Sequence, residues 1–228
     1  MVNDLTGVTD ADVIIVGAGP AGSSTAYHLA KLGIGVLVLE KAEFPRDKIC
    51  GDGLTPAAVH ELIAMGMDIS TWNRNRGLTV VGGGHTISLD WPDQKSLPGY
   101  GMTRARMQLD HDLIQHAVNA GARLMEGITV TGALTSPMGR VCGVKAKKGR
   151  GKDAEALEMR AKMVVDCGGV SARLATSLGI EKVTKRPMGV AARAYFKSPR
   201  GNEDYMESQL ELWSGVPGQS ALLPGYGW

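Results

Sequence analysis

Apolar positions along the chain alternate between two periods. Ala11-Asp12-Val13-Ile14-Ile15-Val16 is a short β-branched run between polar residues and glycine, the signature of a strand buried in a parallel sheet. It leads into Gly17-Ala18-Gly19-Pro20-Ala21-Gly22, and Ser23 to Leu32 then carries Ala26, Leu29 and Ala30 at helical spacing, with Gly33 as the stop. Gly35-Val36-Leu37-Val38-Leu39-Glu40 is a second apolar strand, so the opening predicts a βαβ unit with a right-handed crossover.

Beyond Glu40 the pattern weakens into a loop through Phe44 to Leu54. A helix is predicted from Pro56, with Ala57, Val59, Leu62, Ile63 and Met65 as its apolar face and Gly66 at its end. Leu78 to Trp91 alternates around Gly82-Gly83-Gly84 as an antiparallel hairpin, and Arg106 to Ala120 is an amphipathic helix with Leu109, Leu113, Ile114, Ala117 and Val118 on one side. Leu124-Met125, Ile128 to Leu134, Val141 to Ala146 and Leu157 to Met159 predict short strands, joined by a basic turn, Lys145 to Lys152, that reads as a solvated loop tip. Ala161 to Asp166 is a further strand, entering a second glycine turn at Gly168-Gly169 and a helix from Ser171 to Leu178. Val190 to Phe196, Glu207 to Trp213 and Gln219 to Leu223 finish as antiparallel strands. The class is α/β with an inserted antiparallel sheet.

Composition narrows the function. At 228 residues and 43% hydrophobic the chain can bury a core, while 25 Lys and Arg against 23 Asp and Glu leave a net charge of +2, too balanced for a nucleic-acid binder relying on bulk charge. Cys50, Cys142 and Cys167 show no CxxC spacing and the histidines no HExxH pattern, so neither a disulfide framework nor a metal site is expected, and a reducing cytoplasm fits. No apolar run reaches membrane-spanning length, and the first ten residues lack the basic flank and apolar stretch of a signal peptide.

The glycine turn carries the chemistry. Gly17, Gly19 and Gly22 form GxGxxG between a predicted strand and helix, and an acid, Glu40, stands 21 residues after Gly19 at the end of the next strand. Gly17 permits the turn, Gly19 lets backbone approach a pyrophosphate, Gly22 lets the helix pack on the sheet, and the helix N-terminus favours the anion. Glu40 is suited to ribose hydroxyls and would repel a 2′-phosphate, which points to an adenosine of the NAD or FAD kind. The competing reading is a plain strand-to-helix turn with a solvated acid.

On Gly17 to Ser23, Leu39-Glu40-Lys41, Phe44 to Pro56, Thr103 to Arg106 with Leu109-Asp110, and Pro224 to Trp228, the sequence resembles the FAD-dependent geranylgeranyl reductase family, within the aromatic-hydroxylase-like flavoproteins. Phe44 to Pro56 is most like the bacterial branch that reduces isoprenoid chains, including the menaquinone side chain. The resemblance implies a Rossmann-like FAD-binding domain over 1–75 and 101–180, with a substrate-binding β-sheet domain over 76–100 and 181–228.

It further implies that FAD contacts Gly17, Gly19, Pro20, Ala21, Gly22, Glu40, Lys41, Lys48, Cys50, Gly51, Asp52, Gly53, Val130 and Gly168, and that Arg106 of an R-x-x-L pattern lies near the phosphates. Cys50 is the proton-donor candidate, with ring packing as its alternative. Tyr226 and Trp228 match the start of a Pro-x-x-Tyr-x-Trp fingerprint lining the isoprenoid cavity. The second turn departs from the family: Cys167 stands where an acid is usual and Asp166 lies one residue early, so nicotinamide use through this turn is not expected.

The implied activity is reduction of prenyl double bonds by hydride from reduced flavin, with NAD(P)H or another external donor restoring the flavin. The substrate is an isoprenoid or quinone, which would bring a cytoplasmic protein to the membrane face. Hydroxylation of an aromatic or polyketide ring shares the same FAD motifs and stays open. So does an inactive flavin-binding fragment, because the chain stops where relatives continue.

Overall fold

A computed structural model describes residues 9–149, 151, 153–180, 192–214 and 223–227. In chain order the elements are β1 (Ala11–Val16), α1 (Pro20–Lys31), β2 (Val36–Leu39), β3 (Gly53–Leu54), α2 (Pro56–Ala64), β4 (Asn73–Asn75), β5 (Gly77–Gly82), β6 (His85–Asp90), β7 (Gly101–Thr103), α3 (Arg106–Asn119), β8 (Arg123–Met125), β9 (Ile128–Thr135), β10 (Val141–Lys148), β11 (Glu155–Asp166), α4 (Arg173–Ser177), β12 (Tyr205–Ser214) and β13 (Leu223–Gly227). They divide into two compact units, one within Met1–Lys48 and Arg106–Ala191, the other within Ile49–Ala105 and Ala192–Trp228. Residues 49–75 and 101–105, read from sequence as part of the FAD-binding domain, therefore group with the second unit.

The first unit is built on a six-stranded sheet ordered β8-β2-β1-β11-β10-β9. β1 is flanked by β2 and β11 in parallel, and β8 extends the parallel part beyond β2. Apart from Asp12 near the start of β1, β1 and β2 are apolar because both of their faces are covered: Ile14, Leu37 and Leu39 pack with Ile128, Val144 and Met159 on one side, and Val13, Ile15, Val36 and Val38 with Ala26, Ile114 and Ala117 on the other. The helices α1 and α3 supply the second layer, each turning its small or aliphatic stripe to the sheet.

β11 corrects the sequence reading. The two runs predicted there, Leu157 to Met159 and Ala161 to Asp166, are one strand of 12 residues. Its first half pairs antiparallel with β10 and its second half parallel with β1, so one strand joins the hairpin sheet to the βαβ unit. Arg160 sits between the two runs without breaking the strand, because its amide is used by the Asp10 carboxylate at 2.8 Å. Lys145 to Lys148, read as part of a basic turn, continue β10, while Lys152 lies outside the described residues.

The second unit has a four-stranded sheet ordered β13-β12-β5-β6 and a three-stranded one ordered β3-β7-β4. β5 and β6 form the predicted hairpin. β12, expected to be antiparallel, is parallel to β5 and antiparallel only to β13. Residues 192–198 form no strand, and Val190 to Ala191 and Gln219 to Leu222 of the other predicted strands lie outside the described residues. In α2 the buried residues are Pro56, Val59 and Leu62, followed by Met65, while Ala57 and Ile63 face solvent. β3, β4 and β7, of two or three residues each, carry too little periodicity to be seen in sequence. Among the described residues no helix is long and apolar enough to cross a membrane.

Gly143 makes the hairpin sheet testable, since a Cβ there would fall 2.1 Å from the Met159 carbonyl oxygen. Gly143→Ala is expected to destabilise the chain by about 1–3 kcal/mol, seen as a lower midpoint in urea unfolding with unchanged slope.

Candidate functional site

The turn after β1 is shaped by backbone packing. Gly17 adopts φ +97° and donates its N–H to the Leu39 carbonyl at 2.8 Å. A Cβ at Gly17 would lie 2.7 Å from the Cys167 carbonyl oxygen, and one at Gly22 would lie 1.9 Å from the Gly17 carbonyl oxygen. Gly17 and Gly22 are thus required by the protein's own fold.

Gly19 is different. Among the described residues, a Cβ there would meet within 4 Å only the Lys48 Nζ, at 3.6 Å. Gly19 also caps α1 without a side-chain hydrogen bond, and Pro20 occupies the first turn. A plain strand-to-helix turn demands Gly17 and Gly22 by close backbone contact, whereas Gly19, the N-cap of α1, meets no such backbone contact. Open space at a helix N-terminus, with backbone N–H groups and the Lys48 ammonium beside it, suits a phosphate-bearing ligand. The residues therefore fit a dinucleotide, with Gly19, Ala21, Gly22 and Lys48 at the anion. Ala21 is exposed, and its carbonyl accepts from the Thr25 hydroxyl at 2.8 Å.

Glu40 is buried at the end of β2 and already well bonded. Its Oε2 accepts from the Ala18 N–H at 2.9 Å and from Arg46 Nη2 at 3.4 Å, and its Oε1 from the Ala42 N–H at 3.1 Å. A carboxylate offers about four acceptor directions. The expectation that Glu40 takes both ribose hydroxyls therefore narrows to one, and its first role is to tie the glycine turn to β2. Lys41 beside it is exposed.

Arg106 opens α3, and its guanidinium is buried against Asp110 one turn later, Nε at 2.9 Å and Nη2 at 2.7 Å from Oδ1. The other Asp110 oxygen accepts from Arg46 Nη1 at 3.1 Å. Asp110, fully buried, is held between two guanidiniums, and Arg46 also reaches Glu40. Sequence reasoning did not single out Arg46 and Asp110 as members of this buried charge group. The available signal was the Arg106–Asp110 spacing of one helical turn.

The second glycine turn answers the question posed by Cys167. Asp166, one residue before the family's acid position, accepts from the Gly168 N–H at 2.9 Å and the Ala175 N–H at 3.1 Å, so it builds a strand-to-helix turn. Cys167 donates its N–H to Val16 and presses its carbonyl on Gly17, bringing this turn against the first. Burial, helped by the charge of Asp166 and opposed by a hydrogen bond with Thr25, pushes the Cys167 thiol up. Val130 buries its side chain in the core and pairs with Ala146, so neither fold role leaves its side chain for a cofactor.

In the second unit, Cys50 is exposed and Gly51, Asp52 and Gly53 are half-buried. Asp52 Oδ1 accepts from Arg193 Nη1 at 3.0 Å and the Tyr195 hydroxyl at 3.3 Å, while its carbonyl accepts from the Arg104 N–H at 3.0 Å. This anchoring by Arg193 was invisible in a segment read as a strand. Tyr226 belongs to β13, and Trp228 lies outside the described residues. Among the described residues no cluster of three or more His, Cys, Asp or Glu could hold a metal.

The thiols should separate chemically. Exposed Cys50 is expected to react first with a maleimide at neutral pH, and Cys167 more slowly, because a raised pKa leaves less thiolate. Mass spectrometry of peptides after timed labelling checks the order.

The chain is 37% identical over 220 residues to a menaquinone reductase of Mycobacterium tuberculosis, covering 96% of this chain and 51% of that protein. It is 28% identical over 221 residues to digeranylgeranylglycerophospholipid reductase 1 of Methanothermobacter thermautotrophicus, covering 94% and 53%. The chain thus spans about half the length of the curated relatives it matches. Among solved structures, a geranylgeranyl bacteriochlorophyll reductase-like protein from Thermoplasma acidophilum shares the fold with a TM-score of 0.68 at 24% identity, covering 90% of this chain and 51% of that one. The myxobacterial chondrochloren halogenase, an FAD-dependent halogenase, superposes with a TM-score of 0.65 at 26% identity over 73% of this chain and 39% of its own. Residues 10–219 match the FAD binding domain family, and the chain belongs to that family.

Proposed function

We propose that this chain is the FAD-binding portion of an oxidoreductase that saturates carbon–carbon double bonds in an isoprenoid, of the size of a geranylgeranyl group or a menaquinone side chain. The observation that carries the FAD site is Gly19, a position kept open beside the Lys48 ammonium at the start of α1. The likeness to menaquinone and digeranylgeranylglycerophospholipid reductases supports the substrate class.

In this reading Gly17, Gly19, Pro20, Ala21 and Gly22 form the pyrophosphate cradle, with Lys48 supplying charge. Glu40 offers its remaining acceptor direction to the ribose, with Lys41 beside it. Arg106 acts as part of the buried charge group under the cradle. Gly168 shapes the neighbouring turn, and Val130 contributes backbone. Bound FAD supplies hydride transfer, and NAD(P)H or another external donor supplies the electrons. Cys50, an exposed thiol flanked by glycine, is the proton-donor candidate, held in its loop by the anchoring of Asp52. Tyr226 and Trp228 are assigned the aromatic wall against the prenyl chain, on the sequence fingerprint. A prenyl substrate places the protein at a membrane surface.

The likeness to a halogenase favours a second reading, oxygen-dependent chemistry on an aromatic or polyketide ring. Products separate the two. A version extended to the length of the reductase relatives is expected to saturate a prenyl quinone without oxygen, and an oxygen-dependent product with no prenyl reduction would contradict the proposal. For the chain itself, purification with added FAD is expected to give a visible flavin spectrum at near-equal stoichiometry after gel filtration. Gly19→Glu should lose that flavin, because it puts a carboxylate where the anion binds.

A further inference from the structure

The proposed cradle depends on Lys48 standing over Gly19, yet Lys48 belongs to a loop with no regular secondary structure and is itself exposed. Something must place it. Arg46, two residues earlier, reaches both neighbouring elements. Nη2 reaches Glu40 beyond the end of β2 at 3.4 Å, Nη1 reaches Asp110 on α3 at 3.1 Å, and the guanidinium lies 4.8 Å from the centre of the Phe44 ring. The Phe44 N–H is fixed in turn by the Glu126 carboxylate at 2.8 Å.

We infer that Arg46 is a positioning residue for dinucleotide binding, which bridges Glu40 and Asp110 and so holds the Phe44 to Lys48 segment with the Lys48 ammonium above Gly19. The inference rests on the reading of the glycine turn as a dinucleotide site. The charge count supports it. Glu40 and Asp110 are two buried carboxylates, balanced by Arg46 and Arg106. Loss of Arg46 leaves this group one negative charge in excess beneath a site for an anion, and frees the segment that carries Lys48. A lysine at 46 restores the charge but not the bridge, because a single ammonium lacks the fork that spans two carboxylates.

The test is a double-mutant cycle on the intact chain, reading FAD dissociation constants by flavin fluorescence. Arg46→Gln is expected to weaken binding roughly ten- to hundredfold, as for loss of a charge-assisted pair. Lys48→Gln should weaken binding in the parent chain and much less in the Arg46→Gln background, because Lys48 is then already misplaced. Arg46→Lys should resemble Arg46→Gln. Without FAD, hydrogen exchange of the Ala42 to Lys48 amides should speed up in both Arg46 variants while β1 and β2 stay protected. If Arg46→Gln does not fold, the same cycle is run with Arg46→Lys. Additive losses, full rescue by lysine, or unchanged binding would overturn the positioning role. Failure of the parent chain to bind FAD at all would instead overturn the dinucleotide reading on which the inference rests.

Discussion

The close approach of Gly22 to the Gly17 carbonyl, with no room for even one methyl group between them, is the constraint on which the rest of the first unit depends. It sets where β1 stops and α1 begins. The chain can reverse within Gly17 to Gly19 only because Gly17 takes a positive φ and tucks under the Cys167 carbonyl. That contact joins two loops distant in sequence, at the ends of β1 and β11, and it is available because these strands are hydrogen-bonded neighbours in parallel register. The same turn leaves Gly19 facing outward at the helix N-terminus, so the packing constraint and the proposed anion site are two consequences of one backbone path.

Electrostatics completes the arrangement. Buried carboxylates carry a desolvation cost that only close partners offset. Glu40 meets it with two backbone N–H groups and Arg46, and Asp110 meets it with Arg46 and Arg106. Glu40, the acid expected to serve a ligand, is thereby largely engaged by the protein, and Lys48 supplies a cation beside Gly19. Asp166 shows the same economy at the second turn, where a carboxylate that departs from the family spacing by one residue still satisfies two N–H groups.

What was legible in the sequence follows from how locally each feature is determined. β1, β2, the glycine turn and α3 were readable because burial on defined faces imposes a period on nearby residues, as Ile14, Leu37 and Ile114 show. The unity of β11 was not, since its exposed charges at Glu158, Arg160 and Lys162 look like a break until the partner strands β10 and β1 are known. The parallel pairing of β12 with β5 was hidden for the same reason: it joins residues far apart in sequence, and alternation alone carries no direction. At the site, the spacing of Gly17, Gly19, Gly22 and Glu40 was visible, whereas the partners of Glu40 and Asp110 converge on Arg46 from separate elements, which no local pattern encodes.

In the proposed reading, the turn after β1 binds the pyrophosphate of FAD. Backbone amide chemical shifts of the chain, followed by NMR through an FAD titration, test it most directly. The account predicts that saturable shifts centre on Gly17 to Ser23, with further changes at Glu40 to Ala42 and at Lys48. Saturable shifts that leave Gly19, Ala21 and Gly22 unmoved while clustering elsewhere would contradict it.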